Sequence, residues 1–456
     1  MPPDPIAGLR ADRLAALTAR ETARFAASRP ASAAAMARGA GVFLDGVPMH
    51  WMTDWPMPHL PLVAEAQGAT ITDIDGYRID DFCLGDTGSM FGHSPAPVAK
   101  AIRGQARQGL TYMLPTEAAL EAGRLLTETF GDFRWQIATT ATDANRFALR
   151  VARAVTGRPK VLVFNGCYHG TVDDIFVTLD QGRTVNRPGL LGQVTDLSQT
   201  AVACEFNDLA AVAAALAQGD VAAILTEPVM TNSCMVLPDP GFLDGLRALA
   251  TEAGALLIID ETHTISTGYG GYTRTHHLDP DIFVAGKCIA GGMPTAVWGL
   301  TPALAARYSS ANAVRAPGHS GMGTTLSANP MQFACLAATL AEVATPKAYV
   351  KMEAGAARLH AGLAASITAH GLPWHVVRVG ARVEFICAPG PLRNGAEAAL
   401  AHQPLIERAL HLALLNRGSL IAPFHNMMLV SHETKKHQID RLIAAFDEIL
   451  TELTQP

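Results

Sequence analysis

Charge is scarce in this 456-residue chain: Asp, Glu, Lys and Arg together make up 17% of it and aromatic residues only 6%, while 49% is hydrophobic. So little charge on so much apolar chain excludes a disordered tail, and the length suffices to bury a large core, expected as one big domain and a smaller one. With 35 Lys+Arg against 41 Asp+Glu the formal charge is -6 and no basic block occurs, so a surface that tracks nucleic-acid phosphates is missing. The seven cysteines are odd in number and form no CxxC pair, which fits neither a disulfide framework nor a zinc site. Free thiols in a reducing compartment, the cytoplasm, are expected. No apolar run reaches the roughly 20 residues that span a bilayer, and the first residues lack a hydrophobic signal core, so no membrane partner is expected. The segment from Leu9 to Arg38 is rich in Ala and Arg but interrupted by Asp12 and Glu21, and is read as an amphipathic N-terminal helix.

What is present is strongly patterned. ATITDIDGYRIDDF, Ala69 to Phe82, alternates apolar and polar residues around Asp75-Gly76 and predicts a hairpin. From about residue 97 to 330, helical stretches such as FLDGLRALATEAG alternate with the apolar runs KVLVF, VAAIL, ALLII and DIFVAG, the signature of parallel strands covered by helices on both faces. Beyond about residue 335 the pattern changes to long helices, then HVVRVGARVEFICA, SLIAP, MMLVS and a closing amphipathic helix, which predicts a separate α+β lobe. The expected divisions are an N-terminal segment with a hairpin over 1–85, a large α/β domain over 86–334 and a small domain over 335–456. No internal repeat is present. Ligands of such sheets bind beyond the carboxyl ends of the strands, and two lobes over the sheet invite one between them.

ALLII is followed at such an end by Asp260, a carboxylate whose charge burial disfavours unless a cation meets it. An Asp that merely caps the next helix would look the same. DIFVAG ends on Lys287, 287 − 260 = 27 residues on, or about one βα unit, ahead of the glycine-rich CIAGGMP. A lysine among small residues in a dry pocket acts as a carbonyl nucleophile, although most lysines lie on surface loops. Thr139-Thr140-Ala141-Thr142 opens a strongly periodic helix, whose free N–H groups and positive dipole end suit a phosphate as well as an ordinary cap. VLVFNGCYHG ends on Tyr168 and His169, where a ring could lie against a planar ligand. A phosphate cradle, a stacking ring, an acid for a ring nitrogen and an imine-forming lysine together suit one cofactor, pyridoxal 5′-phosphate.

At these residues the chain resembles the class III aminotransferases of PLP fold type I, in the branch around glutamate-1-semialdehyde aminomutase and the β-amino-acid aminotransferases. The resemblance runs from about Ala64 to the C-terminus through TDIDGYRIDDF, TATDANRFALRVARAVTGRPK, NGCYHG, EPVMTN, LLIIDETHT, GKCIAGGMP and TTLSANP. It implies an α/β large domain with a mostly parallel, doubly wound seven-stranded sheet and a smaller α+β domain built from both termini. It implies Lys287 as the Schiff-base lysine and Asp260 as the partner of the pyridine nitrogen. It further puts Thr140, Ala141 and Thr142 on the phosphate loop, Tyr168 on the stacking aromatic, His169 beside it, Asn232 near the ring's phenolic oxygen, and Thr325 at the phosphate of a neighbouring subunit. A homodimer with active sites at the interface follows.

The chain also departs from the family. Thr140-Ala141 replaces the usual Ser-Gly of the phosphate loop; His263 in DETHT stands where Gln or Met is usual, touching the ring's oxygen or packing beside it. Asn426 in FHNMMLVS falls where glutamate-1-semialdehyde aminomutase carries a carboxylate. The stretches PMHWMTDWP and APFHNMM lack the arginines that grip a substrate carboxylate in this branch, leaving His50, Trp51, Trp55, Phe424 and His425 as an aromatic substrate pocket or as plain packing. The expected activity is transamination, a ping-pong transfer between an amino donor and a carbonyl acceptor, with a PLP-dependent aminomutase or epimerase as the alternative. A nucleotide-binding α/β protein would need GxGxxG or GxxxxGK[ST], and neither occurs.

Overall fold

A computed structural model of the chain describes residues 7–455. It divides into two compact units, one formed by the chain up to Pro95 with Lys347–Pro391 and the chain from Ala401, the other by Ala96–Pro346 and Leu392–Leu400. The first limit lies at 95/96 rather than 85/86, and the departures from the 334/335 division have two local reasons. The helix Pro330–Ala338 packs on the helices Ala96–Gln105 and Glu117–Phe130 of the α/β unit. Residues 392–400 return to the same unit, where Asn207 donates to the Arg393 carbonyl at 2.8 Å and Gly395 N–H to Glu205 at 3.1 Å.

The α/β unit is organised by seven strands: β1 (Arg134–Ala138), β2 (Lys160–Phe164), β3 (Ala201–Cys204), β4 (Val221–Thr226), β5 (Leu256–Asp260), β6 (Ile282–Ala285) and β7 (Ala296–Leu300). They lie in the order β1-β7-β6-β5-β4-β2-β3. Every neighbouring pair is parallel except those of β7, which runs antiparallel to both β6 and β1. The fold is that of PLP fold type I. β4, β5, β6 and β7 are buried along their whole length, which is why their sequences read as unbroken apolar runs rather than alternations. The helix Phe242–Ala253 before β5 stops at Gly254, whose φ of 63° is the left-handed cap that side chains resist. β5 therefore starts at a defined point and delivers Asp260 to the sheet's carboxyl edge.

In the other unit, Thr70–Asp73 and Arg78–Asp81 pair antiparallel around Gly76, the hairpin read from Asp75-Gly76. His375–Val379, Arg382–Ile386 and Met427–Leu429 form a three-stranded antiparallel sheet. Its core includes Phe385, Leu410, Phe446 and Leu450, the last two from the closing helix Lys436–Thr454. The single N-terminal helix expected over Leu9–Arg38 is instead two, Ala11–Ser28 and Pro30–Gly39. Pro30 disfavours a helical conformation at the residue before it, and Arg29 leaves the helix to bury its side chain against Asp73 at 3.0 Å, between the rings of Phe25 and Tyr77. No helix among the described residues is long and apolar enough to cross a membrane.

Candidate active site

The carboxyl edge of β5 and β6 carries the two residues singled out by the sequence. Asp260 is 2% exposed. Its Oδ2 accepts from Asn145 Nδ2 at 2.8 Å and meets His169 Nδ1 at 2.9 Å, and its Oδ1 accepts from Thr262 N–H at 3.0 Å. Burial opposes its charge, but the hydrogen bond and positive charge of His169, with the donors of Thr262 and Asn145, outweigh burial and hold its pKa below the usual carboxylate range. The His169 imidazole is raised in turn: burial disfavours its charge, while Cys167 and Asp260 favour it. The buried carboxylate thus has an imidazole partner within the protein. His169 is the hydrogen-bond partner of Asp260.

Glu261, fully buried beside it, has a different explanation. Its oxygens accept from Thr264 Oγ1 at 2.7 Å, Tyr272 N–H at 3.1 Å and Thr273 N–H, so it satisfies the start of the short helix Gly271–Thr275. Burial raises its pKa.

Lys287 follows β6 with φ of 51°, a left-handed conformation that a lysine adopts at a cost of about 1–3 kcal/mol and that collects at functional sites. Its Nζ lies 2.8 Å from Nε2 of His263, which is 3% exposed. The neighbouring Gly286 touches the helix Ala141–Thr156: a Cβ there would lie 3.0 Å from Ala141 Cβ and 3.5 Å from Ala141 N. Gly286 therefore makes room for the methyl group that Ala141 carries where the family has glycine. Thr140 caps this helix, its Oγ1 accepting from Asp143 N–H at 3.2 Å, and the N–H groups of Ala141 and Thr142 in the first turn have no intrahelical acceptor. Thr142 Oγ1 accepts from Thr171 N–H at 3.1 Å, and Gly170, with φ of 80°, allows a contact that any Cβ would bring to 2.2 Å. The Tyr168-His169-Gly170 loop is thereby pinned to the helix N-terminus. Tyr168 is 41% exposed. Asn232 keeps its Nδ2 buried without a hydrogen-bond partner among the described residues.

Lysine, buried carboxylate, helix N-terminus, exposed ring and orphaned amide thus stand at or after the ends of β6, β5, β1, β2 and β4 of one sheet. Residues 53–450 match the family model Aminotransferase class-III. The chain belongs to the class III aminotransferases. A glutamate-1-semialdehyde 2,1-aminomutase of Desulforudis audaxviator (strain MP104C) is 33% identical over 84% of this chain and 88% of its own. The structure of a glutamate-1-semialdehyde-aminomutase from Pseudomonas aeruginosa PAO1, a lysine-to-alanine variant in complex with PMP, is 49% identical over 98% of this chain and 100% of its own, with a TM-score of 0.96. A β-phenylalanine aminotransferase from Variovorax paradoxus is 25% identical over 95% of this chain and 97% of its own, with a TM-score of 0.83. As in its class III relatives, the cofactor is pyridoxal phosphate. The donor set fits it: free N–H groups at a helix start for a phosphate, an ionised buried acid for a ring nitrogen, and an orphaned Asn232 amide for an oxygen.

Two contributors escaped the sequence reading. Asn145 bridges the His169 carbonyl at 3.1 Å and Asp260. A signal existed, since it stands one turn before Leu149 on the buried stripe of its helix, where a polar residue requires partners. Arg187 donates from Nη2 to the Cys167 carbonyl at 2.7 Å and packs its guanidinium 5.5 Å from the Phe176 ring centroid, bracing the loop before Tyr168. Thr325 is exposed, in a turn whose Ser327 Oγ lies 3.2 Å from Thr139 Oγ1. His50, Trp51, Trp55, Phe424 and His425 belong to the other unit. There Trp51 and Phe424 meet edge to face at 5.5 Å, His50 lies 3.8 Å from Asp45, Trp55 is half-buried, and His425 is buried 3.3 Å from Glu384. Asn426 accepts from His411 Nε2 at 3.1 Å, and burial lowers His411 to about 4.

Proposed function

We propose that this class III enzyme is a PLP-dependent isomerase of the 2,1-aminomutase type, moving an amino group between adjacent carbons of one amino aldehyde. The observation that carries this reading is its near full-length similarity to an aminomutase at 49% identity. The intermolecular transfer expected from the sequence is the second reading. Asn426 favours it, because a neutral amide stands where the aminomutase carries a carboxylate.

The cofactor, when bound, supplies an electron sink for a carbanion beside the substrate nitrogen. Lys287 would provide the amine that attaches it and the base that carries a proton between carbons. Asp260 holds the proton on the pyridine nitrogen, with His169 and Asn145 fixing its orientation. The N–H groups of Ala141 and Thr142 and the hydroxyls of Thr140 and Thr142 receive the phosphate. Tyr168 would supply the ring to stack on it, and Asn232 the amide for its oxygen. His50, Trp51, Trp55, Phe424 and His425 are proposed to face the substrate. Purified holoenzyme given a single amino aldehyde without an acceptor should isomerise it over many turnovers. Conversion that appears only when a keto acid is added would overturn the aminomutase reading in favour of transamination.

The enzyme is further proposed to act as a homodimer in the cytoplasm. All seven cysteines are buried and free, as a reducing compartment allows. Leu110, Met113 and Leu114 expose 50%, 78% and 67% of their surface on one loop of the α/β unit, apolar area suited to an interface, and Thr325 would reach the phosphate site of a second copy. Light scattering should give the mass of two chains; a stable single-chain species at micromolar concentration would count against the shared site.

A further inference from the structure

We infer that His263 is the proton acceptor of Lys287, an acid–base group added to this site in place of the usual Gln or Met. The inference rests on the proposed role of Lys287. An Nζ to Nε2 distance of 2.8 Å is a full hydrogen bond, and the imidazole nitrogen is a base where Gln and Met offer none. Both partners are held by backbone. Asp260 on β5 pairs with Val284 on β6, so the segments leaving these strands run side by side. The His263 carbonyl accepts from Ser266 N–H at 3.2 Å and Ser266 Oγ at 2.9 Å, which fixes the residue that bears the ring. Lys287 is set by its left-handed φ.

Before Lys287 attacks a carbonyl carbon it must lose a proton. The His263 ring, 3% exposed and 2.8 Å from Nζ, is an acceptor already in place beside the half-buried lysine. The N–H bond of the lysine breaks with its electron pair left on Nζ, an Nε2–H bond forms on His263, and the positive charge moves by one hydrogen bond. The other ionisable groups on these elements are otherwise engaged. Asp260 is bonded to His169 and Asn145, Glu261 to Thr264 and the Gly271–Thr275 helix, and Cys288 is buried.

The test follows cofactor capture rather than turnover. Apoenzyme is mixed with pyridoxal phosphate from about pH 6 to about pH 9, a range that spans ordinary imidazole titration, and growth of the visible band is recorded. His263→Gln, which keeps a hydrogen-bonding side chain but cannot take a proton, should reach the same final occupancy about tenfold to a hundredfold more slowly, without the wild-type limb near the imidazole range. His263→Ala should recover speed when imidazole is added. Loading of His263→Gln at the wild-type rate with an unchanged pH profile overturns the inference, as does an alanine variant indifferent to imidazole. The isomerase and transfer readings share this step, so the result does not depend on which of them holds; a wild-type enzyme that loads without a visible band removes Lys287 from its role and His263 with it.

Discussion

Lys287→Ala should abolish the visible absorption band of the lysine-linked cofactor while leaving pyridoxal phosphate bound, and turnover should fall by about a hundredfold to ten-thousandfold or more. The other attachment points proposed for the cofactor are independent of the lysine: the helix N-terminus at Ala141 and Thr142, the Asp260 carboxylate and the Asn232 amide. Stability should change little, because alanine inherits the φ of 51° and the Nζ to His263 hydrogen bond lost with the lysine is worth about 0.5–1.5 kcal/mol. Absorbance, cofactor stoichiometry after gel filtration and turnover on one preparation separate these effects. An undiminished visible band would remove Lys287 from the chemistry.

Asp260→Asn should leave the fold and cofactor binding intact but lower turnover by about a hundredfold to a thousandfold, since a neutral amide no longer holds a proton on the ring nitrogen. The amide oxygen can still accept from Thr262 N–H or Asn145, so geometry survives and charge does not. The same substitution should reshape the pH dependence of apoenzyme stability. Asp260 has a depressed pKa, so its contribution is complete above the unfolded value of 3.8 and is lost as pH falls toward the folded one. His169 has a raised pKa, so its contribution is complete below 6.5 and is lost as pH rises toward the folded one. The wild-type apoenzyme should therefore draw most on this pair between those two values, and Asp260→Asn should flatten that window in denaturant melts run across pH. A turnover near that of the wild type would refute the proposed role of the carboxylate.

The strand ends were legible because buried parallel strands leave unbroken apolar runs, and a charged residue closing such a run is conspicuous. That is how Asp260 and Lys287 stood out. The cap at Thr140 was equally readable, since helix starts follow local rules. The partner of Asp260 was not: His169 is 91 residues away on another crossover and, read with Tyr168, pointed to ring stacking. Asn145 stayed hidden inside a strongly periodic helix. His263 was legible as a departure from its family, but contact with the cofactor and plain packing read alike in one dimension.

Composition and periodicity determined on their own the α/β class, the hairpin at Gly76 and the residues at the sheet's edge, because burial and backbone turns are written in runs a few residues long. The insertion of β7 antiparallel between β1 and β6, the return of residues 392–400 to the α/β unit, and the pairings of Asp260 with His169 and of Lys287 with His263 were decided only in three dimensions. Each joins segments whose mutual distance is set by crossover packing, and a hydrogen bond between such segments leaves no periodic trace in either.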